Sequence, residues 1–530
     1  MSVMEDTVER FVDVMAYLQS PIGLHRYDDH IFVPTPSNVR RVFTEFTAIE
    51  SSLDRLQAVT ELPWYERLRI DEMRKMIRST KVGLEWEILD CIYPIQSIGA
   101  AVQDVLDYPF VEPPERARLL VARLKHSGFL IQACMMRDQR LSKLHIRLAV
   151  DQGRAVLKFI RDLPSQFKSN PLEKELSQVS EETMTALNQY LEYLQLRSES
   201  APDRLTPRRH QLERMLQELW AMDVSPEDLR RVGEEQLQRW SKRLMEYGRQ
   251  IDPKATDWKA VWEKMRTYNP STEDEIVNDH RKLLEEVRQA LKASDVIDLP
   301  DGEAVQTSAT PEWRRMFATG GSCSSDDMYG RRVTSKLRIT PRTAGVAGPM
   351  PPPSRVLLAH ECYAGHHVHA INIGQHAPMP FKIRTQIRVP VSEGWAMLAE
   401  EFLEDKYTAV ERVQLCMSVI RRAVRIIVDV GLNTGEMTYD QALDFYGKTV
   451  GVRATNEVDS TLLLPGYKSA YLFGKVTLER LRDDVRKELG HRFDVRWFNN
   501  LIVRAGTMSL AGIDTYVRKH AEIRRRLAQI

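Results

Sequence analysis

Apolar positions recur at three- and four-residue steps along most of this chain. Between Asp6 and Gln19 they are Val8, Phe11, Val12, Met15 and Leu18, one stripe of a helix, and Pro21 and Gly23 stop it. The same 3.6-residue period, with charged outer faces, runs through 37–59, 65–90, 114–142, 143–163, 171–197, 206–222, 226–248, 273–294 and 407–432. Pro113, Pro114, Pro164, Pro171, Pro207 and Pro253 punctuate these stripes. No repeat of fixed period is present. The pattern predicts a mainly α fold.

The texture changes between 300 and 355. Thr319–Ser325 is small and flexible, and Arg331–Thr340 alternates enough to predict a strand. Ala344–Ser354 is rich in glycine and proline, and Pro351–Pro353 cannot continue a helix. Helical patterning resumes at Arg355–Leu358. The predicted strand suits an edge element that pairs with extended substrate, and equally a surface hairpin. The expected organisation is an N-terminal helical region, 1–300, and a catalytic region, 301–530, in one continuous helical body with a central cleft.

With 530 residues and 43% apolar content the chain can bury a large core. Its 75 basic and 74 acidic side chains leave a net charge of +1, so no global field favours nucleic acid or a membrane surface. No stretch approaches the roughly 18 apolar residues of a membrane span. The acidic, amphipathic start, MSVMEDTVERFVDVM, lacks the features of a secretory signal. Five scattered cysteines are no disulfide framework. These features lead to the expectation of a cytoplasmic protein.

Chemistry concentrates at His360–His369, HECYAGHHVH, with four of the chain's 13 histidines and Glu361 directly after the first. Imidazoles that hold a metal, beside a carboxylate that takes a proton from water, are the parts of a hydrolytic zinc site. The spacing differs from HExxH, because Ala364 stands at i+4. In a regular helix i+7 lies about 10.5 Å along the axis and i+6 about 120° round. Gly365 offers a distortion that opens the helix. His360 is therefore the first expected ligand, His366 the second with His367 as its alternative, and Glu361 the general base. Against this stands the plainer reading of four histidines on a partly exposed helix.

A third ligand fits Val391–Phe402, where Ser392 can cap a helix and Glu393 and Glu400 share a face. Glu393 is the candidate ligand and Glu400 a candidate partner for a liganding histidine. Glu401 points about 100° away and is expected to be solvated. Further on, Tyr467 and Tyr471 are four residues apart in PGYKSAYLFG, so both phenols can face one way and donate to a developing oxyanion. Aromatic core packing accounts for either tyrosine equally well. Arg384, Arg388 and Lys468 could hold a carboxylate, and solvated surface is the simpler expectation for them.

Together these stretches resemble one family, the bacterial group catalogued as domain of unknown function 885, a set of helical zinc peptidases by expectation. Its pattern reads approximately HExYPGHHLQ, EGWALYAE and PGQALSYKIG. The matching residues here are His360, Glu361, Tyr363, Gly365, His366 and His367, then Glu393, Gly394, Trp395, Ala396, Ala399 and Glu400, then Pro465, Gly466, Tyr471 and Gly474. The opening Gly23–Asp29 and the closing segment around Phe493–Phe498 are also similar. The resemblance implies a gluzincin-like, zincin-type helical fold, Glu361 as base, Glu393 as third ligand and Tyr471 as oxyanion donor.

The departures lie around the metal residues. Ala364 stands for proline, His369 for glutamine, and Tyr467 and Lys468 for glutamine and alanine. Ser460 stands where the family's ExxR has arginine, Asn499 for a histidine and Ser509 for a proline. The expectation is a zinc-dependent hydrolase of a short peptide or an amide-containing small molecule, with no nucleic-acid or membrane partner and a homodimer left open. A metal enzyme with a non-hydrolytic step on a specialised metabolite is the second reading. A catalytically silent helical binding protein is the third.

Overall fold

The computed structural model describes residues 3–19, 24–59, 61–107, 111–137, 139–204, 209–312, 315, 320–325, 329, 333–343, 348–451 and 454–527. Pro21, Gly23, Pro207, Thr319, Arg331, Arg332 and 344–347, singled out above, lie outside the described residues, as do 206 and 208 of the 206–222 stripe. The chain divides into two compact units, Met1–Thr206 with Glu312–Arg314, and Pro207–Pro311 with Arg315–Ile530. The expected boundary at 300/301 falls inside the second unit.

The first unit holds α1 (Val3–Gln19), α2 (Pro36–Gln57), α3 (Trp64–Glu87), α4 (Tyr93–Asp107), α5 (Pro113–Leu124), α6 (Ser127–Met135), α7 (Lys143–Asp162) and α8 (Glu173–Ser198). Hydroxyl caps start α2 and α7, where Thr35 and Ser142 accept from the backbone N–H of Asn38 and His145. The stripe over 114–142 is two helices, broken at Lys125–His126. Leu124, Leu130, Ile131 and Cys134 are all buried across the break, so the apolar pattern runs on while the helix does not.

The second unit begins with α9 (Arg209–Arg214), which continues as a π-helical turn at Met215–Leu219. Then come α10 (Pro226–Ile251), α11 (Trp258–Met265) and α12 (Glu273–Ser294), followed by strands β1 (Ala304–Ala309), β2 (Gly321–Ser325) and β3 (Thr334–Ile339). The rest is helical: α13 (Arg355–Glu361), α14 (His366–His376), α15 (Val389–Ala399), α16 (Ala409–Thr434), α17 (Tyr439–Val450), α18 (Thr455–Leu463), α19 (Tyr467–Leu489), α20 (Val495–Ala505) and α21 (Leu510–Leu527). The fold is thus mainly helical with one small sheet.

The sheet order is β1-β3-β2, parallel between β1 and β3 and antiparallel between β2 and β3. The strand expected at Arg331–Thr340 is therefore the central one, and β2, read from sequence as flexible, is an edge beside α13 and α14. Small residues at Gly321–Ser325 carry almost no β signal, and pairing with β3 alone makes them a strand.

Two glycines bring α15 and α19 into backbone contact. A Cβ on Gly394 would lie 2.4 Å from the Gly474 carbonyl carbon, and one on Gly474 would lie 1.8 Å from the Pro390 oxygen. Only hydrogen fits at both positions. This contact carries Glu393 of α15 toward Tyr467 and Tyr471 of α19.

Candidate metal centre

α13 ends at Glu361 and α14 begins at His366, so the histidine cluster lies on two helices and not on one distorted helix. The intervening turn folds back on α13. The Gly365 N–H donates to the Ala359 carbonyl at 2.8 Å, and a Cβ on Gly365 would lie 1.7 Å from the His360 carbonyl oxygen. The role of Gly365 is this close approach. From α15, Trp395 Nε1 donates to the Ala364 carbonyl at 2.9 Å and holds the turn from outside.

This geometry brings three predicted ligands together. His360 Nε2 lies 3.6 Å and His366 Nε2 3.4 Å from Glu393 Oε2, and the ligand atoms of all three lie within 4.8 Å of one another. The imidazole planes stand at 89° with centroids 4.9 Å apart. Glu393 Oε2 is buried with no hydrogen-bond partner among the described residues. Ligand atoms about 2.0–2.2 Å from a tetrahedral zinc lie roughly 3.3–3.6 Å from each other. The donor types and the two separations to Glu393 fit such an ion.

The surroundings favour positive charge at this point, whether a proton or a metal ion carries it. Burial opposes charge on His360, yet Glu393 and Glu400 outweigh it and lift its pKa to about 9. Burial likewise opposes ionisation of Glu393, but the two imidazoles hold its carboxyl well below the ordinary range. Glu400 Oε1 accepts from His360 Nδ1 at 2.8 Å, which leaves Nε2 facing Glu393. Ser418 donates to Glu400 Oε2 at 2.7 Å and in turn accepts from Arg422.

Glu361 is tied to the sheet. The backbone N–H of Cys323 on β2 donates to its Oε2 at 2.9 Å. Burial raises its carboxyl pKa, with the imidazoles of His360 and His366 opposing. The phenols of Tyr467 and Tyr471 are 3.0 Å apart. Burial, then the charge of Glu393, pushes both phenol pKa values up, that of Tyr471 furthest.

His367 turns the other way. Its Nε2–H donates to Glu303 Oε2 at 3.2 Å, and Ser335 lies 2.7 Å from its Nδ1. Tyr363 also donates to Glu303 Oε2, at 2.6 Å, and Arg288 donates to Oε1 at 2.6 Å. This buried brace escaped the sequence reading, since nothing around Glu303 marks it locally. Three further expectations change. α15 starts at Val389, so Ser392 lies inside its first turn and does not cap it. Glu401 is not solvated but pairs at 2.7 Å with Lys475, which is wholly buried. Lys468 reaches Glu457 at 3.2 Å, beside the Arg425–Glu457 pair at 2.7 Å, and so supplies a cation to the glutamate whose ExxR arginine is missing at Ser460.

A cavity of about 180 Å³ adjoins the cluster, lined by Ser324, His366, His369, Arg384, Arg388, Ser392, Glu393 and Thr507 among others.

Comparison with known proteins places the fold in company. The "putative lipoprotein" from Colwellia psychrerythraea is 15% identical, with a TM-score of 0.83 over 98% of this chain and 100% of that one. A "putative lipoprotein of unknown function" from Shewanella oneidensis is also 15% identical, with a TM-score of 0.74 over 97% and 99%. No curated protein matches the chain. The model of the family described as "Bacterial protein of unknown function (DUF885)" matches residues 18–517, nearly the full length, and the chain belongs to that family.

Proposed function

We propose that this protein is a zinc-dependent hydrolase that cleaves an amide or peptide bond in a short peptide or peptide-like small molecule. The observation that carries the proposal is the convergence of His360, His366 and Glu393 on one point, with the carboxylate of Glu361 next to it. Zinc bound there would activate a water molecule and polarise the scissile carbonyl. Every other role falls to the chain itself. The Cys323 N–H fixes one oxygen of Glu361, and the other is assigned the proton of the attacking water. A carboxyl whose pKa burial has raised holds that proton long enough to pass it to the leaving amine. Tyr471, kept protonated, is assigned the hydrogen bond to the developing oxyanion, with Tyr467 bonded to it from behind.

The zincin-like reading of the fold belongs to the same proposal, supported by edge strand β2 beside the helix pair. So does cytoplasmic placement, which suits five unpaired cysteines. The lipoprotein description of the two structural relatives points elsewhere, and cell fractionation decides between them. The functional test has two parts. Purified protein should carry about one zinc per chain by elemental analysis. Zinc-loaded protein should release amines from a library of short peptides. A metal-free preparation that takes up no zinc removes the proposal.

A further inference from the structure

Several basic side chains in this unit pair with carboxylates. Lys475 has Glu401 and Glu479, Arg425 has Glu457, and Arg355 has Glu411 and Glu286. Arg384 and Arg388 differ. Both line the cavity beside His366 and Glu393, and neither has a carboxylate within ion-pair distance among the described residues. Arg384 Nε is buried without a hydrogen-bond partner. Burial, then the like charge of Arg384, lowers the pKa of Arg388 to about 10, with the charge of Glu393 opposing. Two adjacent guanidiniums with no carboxylate in ion-pair contact among the described residues are a costly arrangement that an anion relieves.

A second observation comes from another helix. His369, in the position where the family pattern has glutamine, is 4% exposed and lines the same cavity, and its Nε2 has no partner among the described residues. Burial keeps this imidazole neutral, with its pKa down at about 3. Its free nitrogen is a hydrogen-bonding group prepared for a ligand atom. The cavity, about 180 Å³, accepts one group of roughly benzene size. That is room for a terminal side chain.

We propose that Arg384 and Arg388 bind the free C-terminal carboxylate of a short peptide, with His369 contacting the same terminal residue, so that cleavage releases one residue from the carboxyl end. The inference rests on the hydrolase reading above and names its substrate class. The test uses full-length zinc-loaded protein and N-acetylated dipeptides ending in alanine, leucine or phenylalanine, each as free acid and as carboxamide. Hydrolysis is followed by amine release, and binding is followed separately by calorimetry. Free acids should be cut at least tenfold faster and bound at least tenfold more tightly than the amides. Arg388→Gln and Arg384→Gln should each erase most of that ratio. Equal handling of acid and amide by the wild-type protein overturns the proposal, and needs no variant to fold. Cleavage without acid preference leaves the hydrolase reading standing and removes this one. Arginine-dependent preference in binding without any cleavage supports the anion site and removes the hydrolase.

Discussion

His366 and His367 are neighbours in the chain, yet they belong to two regions that treat polar groups in opposite ways. Behind α14, His367, Ser335, Tyr363, Arg288 and Glu303 form a closed network. On the cavity side, Glu393 Oε2, His369 Nε2 and Arg384 Nε are buried without a hydrogen-bond partner among the described residues. A buried polar group left unpaired costs roughly 1–3 kcal/mol, so a native fold keeps few of them. Satisfied groups hold the turn in place, and three groups without a hydrogen-bond partner line the cavity where a metal ion and a substrate are proposed to sit.

The largest effect that sharpens this contrast is on catalysis. Glu361→Gln keeps the Cys323 contact and cannot take a proton, so hydrolysis should fall by about 10²–10⁴ while zinc content and thermal unfolding stay close to wild type. Hydrolysis unchanged in this variant would remove Glu361 from the proposed mechanism. Next comes the turn shared by both regions. Gly365→Ala places a methyl on the His360 carbonyl and should cost about 3 kcal/mol in urea unfolding, with loss of zinc binding.

The neighbouring histidines provide the direct comparison. His366→Ala should abolish stoichiometric zinc binding with little loss of stability. His367→Ala should retain zinc and lose roughly 1–3 kcal/mol, since it strands part of a buried network. The opposite pattern, with zinc lost only in His367→Ala, would invert the assignment of the two faces.

The smallest expected effect is a pH dependence in the brace. Burial raises the Glu303 carboxyl pKa, but hydrogen bonds from His367, Tyr363 and Arg288 outweigh it, and the net shift is downward. A carboxyl lowered on folding contributes stability in full above its unfolded value, about 4.3, and loses it as pH falls through the folded value. The stability margin of wild type over Glu303→Gln should therefore be constant near neutrality and shrink below about pH 4.3. Urea titrations at several pH values measure it, and a margin flat down to pH 3 contradicts the brace.

Much of the helical architecture was legible, because an amphipathic stripe is a local signal. The stripe failed where one apolar face ran across a helix break, as at Lys125–His126. It could not tell solvent from a buried partner, so Glu401 was read as solvated when it faces Lys475. The centre and edge of the sheet were misjudged because Gly321–Ser325 becomes a strand only by pairing with β3. Among site residues, His360, Glu361 and Glu393 stood out by type and spacing. Glu303 did not, since it meets His367 from 64 residues earlier in the chain.

The sequence by itself determined the helices, the glycine at the break and the set of side chains able to ligate a metal and accept a proton. These are matters of residue type and short spacing. Tertiary structure alone decided which histidine joins which region. The turn at Cys362–Gly365 resets the helical phase, and adjacent residues on α14 then diverge by about 100°. One of them meets Glu393, brought in by the contact of Gly394 with Gly474, and the other meets Glu303. Neither partner is near in sequence: the pattern offered Glu393 and favoured His366 over His367, but nothing local pointed to Glu303.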